Sequence, residues 1–248
     1  MHWYEIVAIV LVGFIAGFLN TLAGSGTLLT LPFLIFLGLP PNVANGTNRI
    51  AILLQNVVGV SSFKKQKIFE FRDGIGIGIF AILGSILGAQ LAVDINEKVF
   101  ENVIGGLLIF MIALIFVKPK RWLEGSENKH LPKYAQYIIF FLIGAYGGFI
   151  QAGVGFFLLA GLVLGSGFDL VKANALKLFL VLLYTPFALF IFIINHQVNY
   201  LLGFILSIGN MGGAFVASKM AVKKGAKFIR WILIVALLVS AIKLLGIF

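Results

Sequence analysis

Apolar residues run almost without interruption from Ile6 to Phe248, broken only by short polar gaps, and that continuity decides which solvent the chain folds in. A water-soluble globule needs polar residues to cover its surface, and 11% charged residues against 60% hydrophobic ones in 248 positions cannot supply them. Lipid is the solvent that fits. One helical span takes roughly 20 apolar residues, so about eight to ten crossing or half-crossing segments fit in the chain. Runs such as 103–117 and 138–142 are apolar on all sides, without the alternation of a barrel strand. The expected fold is therefore an all-α integral membrane protein.

The first apolar segment follows only Met1–Glu5, carries no basic leader and runs into a Gly/Asn loop, so it is expected to be retained rather than cleaved. With no cysteine, disulfides, thiol catalysis and thiolate metal sites are excluded. The net charge of +10 does not point to nucleic acid, because the basic residues sit in short loops between apolar spans.

Those loops carry an orientation. Residues 61–72, 118–133 and 219–230 are rich in Lys and Arg and are expected on the cytoplasmic side of the plasma (inner) membrane, whereas 94–98 and 195–199 are not. Both termini then lie outside. The chain also repeats itself. Gly26 and Gly155, Ala44 and Ala173, Asn45 and Asn174, Gly74 and Gly203, and Gly84 and Gly213 are each 129 positions apart, and Gly17 and Gly148 are 131 apart. Two transmembrane repeats, 1–117 and 136–248, joined by a cytoplasmic linker at 118–135, account for this spacing. The basic loop 61–72 matches the uncharged loop 195–199, so the repeats are expected to be inverted, a recurrent plan of secondary transporters.

Each half opens with two segments that read as short, Ile6–Leu19 with Thr27–Leu37 and Ile138–Ile150 with Phe156–Leu164. Three fuller spans follow in each half, near 43–61, 74–93 and 99–117, then near 171–193, 200–218 and 230–247. Five segments per half is an odd number, as inversion requires. Broken helices around Gly-rich loops at matched places point to a binding site at the midplane. The loops are Asn20 to Gly26, containing Gly24 and Ser25, and Gln151 to Gly155, containing Gly153. Gly24-Ser25-Gly26-Thr27 ends where a helix begins, which offers backbone N–H groups and a positive helix end to an anion. The plainer reading is that these glycines permit tight turns and close packing.

Arg49 and Lys177 sit a turn or so into otherwise apolar segments, each after a matched asparagine, Asn45 and Asn174. A cation there costs several kcal/mol unless it meets water, a partner or a ligand. Every Asp and Glu lies at a span end or in a loop, so a passing anion is the expected counter-charge; snorkelling to an interface is the alternative. The same distribution argues against a sodium site or a carboxylate proton relay within the membrane, and His2, His130 and His196 lie at ends or in loops. Gln55, Asn56, Tyr184 and Thr185 fall at matched positions and either line a polar path or bond between helices. Gly13/Gly17, Gly84/Gly88, Gly144/Gly148 and Gly209/Gly213 read as packing faces. No phosphate loop, metal cluster or catalytic triad is present, so neither a cofactor nor an enzyme is expected.

Gly17-Phe-Leu-Asn-Thr-Leu-Ala-Gly-Ser-Gly-Thr27, Leu31-Pro32, Gly38-Leu-Pro-Pro41, Ala44-Asn-Gly-Thr-Asn-Arg49, Gly147-Gly-Phe-Ile-Gln-Ala-Gly-Val-Gly155 and Lys172-Ala-Asn-Ala-Leu-Lys177 together resemble the sulfite exporter TauE/SafE family of membrane permeases. The resemblance covers essentially the whole chain. It implies a plasma-membrane permease for sulfite, other sulfur oxyanions, organosulfonates or related carboxylates. One departure is that the second loop has Val154 and Phe156 where the first has Ser25 and Thr27, so two binding loops would bind unequally. The expected partners are a small anion and the bilayer, not nucleic acid, with a homo-oligomer left open. A passive anion channel and an accessory subunit of a larger complex are the rival functions.

Overall fold

A computed structural model of the chain describes residues 2–95 and 131–244. The expected span at 99–117 and most of the linker lie outside the described residues. Within them the regular structure is helical: α1 (Trp3–Ala23), α2 (Thr27–Phe36), α3 (Pro41–Lys65), α4 (Arg72–Asp94), α5 (Lys133–Phe149), α6 (Val154–Ala160) continued by a π turn at Gly161–Gly165, α7 (Leu170–Ile194) and α8 (Tyr200–Leu244). Gly225, at φ 70°, divides α8 at the place where the sequence puts a basic loop between two spans.

Among the described residues, four stretches are long and apolar enough to cross a bilayer: Trp3–Ala23, Arg72–Asp94, Leu170–Ile194 and Tyr200–Leu233. The first corrects the expectation of a short segment at Ile6–Leu19. At 21 residues, α1 is about 31 Å long. It ends only at Gly24, whose left-handed conformation (φ 75°) lets its N–H reach back to the Leu19 and Asn20 carbonyls. The chain then doubles back, and Leu31 and Leu34 of α2 share a core cluster with Ile9 of α1.

Helix α3 has 25 residues but is too polar to count among the apolar spans. Its Asn45, Thr47, Asn48, Arg49, Gln55 and Asn56 are all buried, whereas Leu11, Leu87, Leu91, Leu142, Phe190 and Phe204 of other helices are exposed. This inside-out distribution is that of a chain solvated by lipid.

Glycine contacts bring the helices together. A Cβ at Gly13 or Gly17 would run into the backbone of Leu206 or Asn210 on α8, and one at Gly209 or Gly213 into Val10 or Phe14 on α1. Gly84 and Gly88 of α4 meet Phe141 and Ala145 of α5 in the same way, and Gly144 and Gly148 return the contact to Ala81 and Ser85. The paired glycines are thus packing faces that allow backbones to touch. Helices α1 and α8 pair as α5 and α4 do, and α3 packs on α8 as α7 packs on α4. Exchanging the halves leaves these pairings unchanged.

Candidate functional site

The two Gly-rich loops meet at the centre of the bundle. Gly24 and Gly155 touch backbone to backbone, and a Cβ on either would overlap the other's Cα. Gly24 and Gly153, at matched positions in the two loops, are both left-handed, with φ 75° and 69°. Gln151 also adopts φ 61°, an uncommon conformation for a residue with a side chain.

Beside this crossing lies a cavity lined by Asn20, Gly24, Thr27, Ile52, Gln55, Asn56, Gln151, Val154, Gly155, Lys177, Leu178 and Val181. The space open to the centre of a water-sized sphere is about 20 Å³, room for little more than one water. The lining combines amide and hydroxyl groups with one cation and an apolar wall. Six of the twelve residues singled out from sequence meet here: Asn20, Gly24, Thr27, Gln151, Gly155 and Lys177. Ser25, Gly26, Asn45, Arg49, Gly153 and Asn174 do not line it.

Hydrogen bonds fix the lining. The Asn20 side chain accepts from the Gly26 N–H at 2.9 Å and donates to Gln55 Oε1 at 3.3 Å, tying the loop to α3. Asn210 of α8 donates to the same Gln55 oxygen at 3.3 Å. In the second half, Gln151 donates to Thr185 Oγ1 at 3.4 Å. Of the polar residues matched in the two spans, Gln55 and Thr185 therefore bond to the Asn and Gln of the loops, whereas Asn56 donates to the Ile52 carbonyl of its own helix; Gln55 and Asn56 also line the cavity.

The two buried cations have partners the sequence did not suggest. Lys177 Nζ donates to the backbone carbonyls of Asn20 (3.0 Å) and Thr21 (2.9 Å) and to Asn174 Oδ1 (2.7 Å). It thus caps the C-terminal end of α1 from across the bundle. The Arg49 guanidinium donates to the carbonyls of Gly147 (3.2 Å), Gly148 and Phe149 (3.4 Å) at the end of α5, and to Asn45 Oδ1 (3.5 Å). Its Cζ lies 4.6 Å from the centre of the Phe192 ring. A helix C-terminus carries partial negative charge and carbonyls without intrahelical partners, so each cation is compensated by a helix end in the opposite half. No carboxylate takes part; among the described residues the ion pair present is Lys172–Asp73, 2.9 Å apart at the starts of α7 and α4. Asn45 belongs to the Arg49 assembly and donates to the Phe149 carbonyl at 2.8 Å.

Several buried polar atoms have no partner, among them Thr21 Oγ1, Ser25 Oγ, Gln151 Oε1, Asn174 Nδ2, Tyr184 Oη and Asn210 Oδ1. Most cluster around the loop crossing and the two cations. Asn210 was missed in the sequence, although a lone asparagine amid the apolar and glycine residues of a span is a signal that lipid makes costly. Among the described residues there is no cluster of His, Asp and Glu able to hold a metal ion.

A lipid-solvated helical bundle with broken helices meeting at a small polar cavity defines a multi-pass membrane transport protein. The family model described as sulfite exporter TauE/SafE matches residues 9–244, and the chain belongs to that family. It is similar to a probable membrane transporter protein of Haemophilus influenzae, 30% identical over 88% of this chain and 86% of that protein. It is also similar to the probable membrane transporter protein ORF9 of Sinorhizobium sp, 29% identical over 94% of this chain and 89% of its relative. The probable membrane transporter protein YfcA of Escherichia coli is 28% identical, over 94% and 87% of the two chains. No solved structure gives a significant match.

Proposed function

We propose that this chain is a secondary transporter of a small anion, sulfite or a related sulfur oxyanion or organosulfonate, working by alternating access across the plasma membrane. The observation that carries the reading is Lys177, 2% exposed yet lining a cavity whose other polar residues are uncharged. A site of this kind attracts one negative charge and offers amide and hydroxyl donors to its oxygens. The Asn20–Thr27 and Gln151–Gly155 loops are the substrate loops, with Asn20, Thr27, Gln55 and Gln151 as hydrogen-bonding groups.

A cavity with room for about one water has to widen before it takes a sulfite ion, which favours a transporter that changes shape over an open pore. The halves, as two inverted repeats, would rock about the loop crossing, with loops 61–72 and 219–230 facing the cytoplasm. Membership of a transporter family and the lack of paired acid and base groups at the cavity favour transport over catalysis.

The test is uptake of labelled sulfite into proteoliposomes containing only this protein. Saturable flux is expected, reduced at least tenfold in a Lys177→Met variant that remains folded. Accumulation against a gradient excludes a passive channel. Wild-type protein that moves neither sulfite nor a sulfonate sinks the reading.

A further inference from the structure

The Lys177 ammonium has three N–H donors, and all three are occupied by the Asn20 and Thr21 carbonyls and Asn174 Oδ1. An anion arriving at the cavity therefore cannot bond to this ammonium without displacing one of those acceptors. The three are not equivalent. Asn174 lies one turn away on the same helix and moves with Lys177, whereas Asn20 and Thr21 belong to α1 in the other half of the chain. Of the three, only Asn20 lines the cavity. A hydrogen bond with charge on both partners outcompetes one between an ammonium and a neutral carbonyl, the more so away from water.

Arg49 makes the matching contact on the other side, but it is 0% exposed, does not line the cavity, and is held by three α5 carbonyls and the Phe192 ring. Chemically similar caps therefore differ in access to the ligand.

We propose that Lys177 is a ligand-operated clamp: an anion entering the cavity takes its ammonium from the Asn20 and Thr21 carbonyls and releases the end of α1, while Arg49 keeps the end of α5 fixed to α3. The inference rests on the anion reading of the cavity and adds how occupancy is converted into movement of one half against the other. The released end carries Gly24, the residue in contact with Gly155, so the displacement is passed directly to the loop crossing.

The test is amide hydrogen exchange on the wild-type protein in nanodiscs, with and without saturating sulfite, alongside its thermal midpoint. Sulfite is expected to raise the midpoint and to speed exchange of the Thr21–Gly24 amides about tenfold, leaving Gly147–Ile150 unchanged. A Lys177→Met variant is expected to show the faster Thr21–Gly24 exchange without sulfite and no further response to it. A raised midpoint with unchanged Thr21–Gly24 exchange, or with equal loosening at Gly147–Ile150, overturns the clamp and leaves the anion site standing. No effect of sulfite on the midpoint, together with no sulfite flux, overturns both.

Discussion

Gly24 and Gly155 occupy each other's side-chain space, and that mutual contact is where the two halves of the chain cross. Alanine at position 155 has to push the first loop away, a backbone shift of the kind that costs about 1–3 kcal/mol. Gly155→Ala is expected to lower the thermal midpoint in detergent and to abolish flux. Gly76 of α4 has open space where a Cβ would go. Gly76→Ala is expected to leave both unchanged, and an equal loss at the two positions would remove the special role of the crossing.

Arg49 depends on the shape of its head group as well as on its charge. A lysine there keeps the cation but cannot spread donors over the Gly147, Gly148 and Phe149 carbonyls while stacking on Phe192. Arg49→Lys is expected to cost about 1–3 kcal/mol, because buried acceptors lose their donors. Unfolding midpoints of the purified variant check this, and a wild-type midpoint would show that charge alone suffices.

Gln55 Oε1 accepts from both Asn20 and Asn210. Gln55→Glu preserves both acceptor bonds but puts a negative charge on the cavity wall. Like charges about 4 Å apart repel by about 1 kcal/mol even at water's dielectric constant and by more in a low-dielectric site. The KM for sulfite is expected to rise at least tenfold, and an unchanged KM would contradict an anion as the ligand.

The Lys172–Asp73 pair is about a third exposed on each side, 31% and 27%. Ion pairs this open contribute little, so Asp73→Asn is expected to change stability by less than about 1 kcal/mol. Thermal unfolding at low and high salt checks it.

The helical, lipid-solvated fold was legible because apolar runs of span length leave few alternatives. The glycine pairs were legible as packing faces because spacing alone puts them on one side of a helix. Half of the candidate site was legible too, since Asn20, Gly24, Thr27, Gln151, Gly155 and Lys177 do line one cavity. The partners of Arg49 and Lys177 were not. Their counter-charge is the end of a helix contributed by the other half, and backbone carbonyls leave no trace in residue identity. The length of α1 was underestimated for a related reason: Asn20 and Thr21 read as loop residues, yet the glycine that stops the helix is Gly24. The burial of α3 was likewise hidden in its composition, because its polarity marks a helix shielded from lipid by its neighbours rather than a weak span.

The reciprocal capping also sets an order of assembly. The Thr21 carbonyl waits for a lysine placed 156 residues later in the chain, and the Gly148 carbonyl for an arginine made 99 residues earlier. A ribosome that has delivered only the first half has therefore released a helix whose end is still bare, and the second half on its own would lack the arginine that closes α5. Neither half supplies the cation that caps its own helix end, so the end of α1 is closed only when α7 enters the membrane beside it.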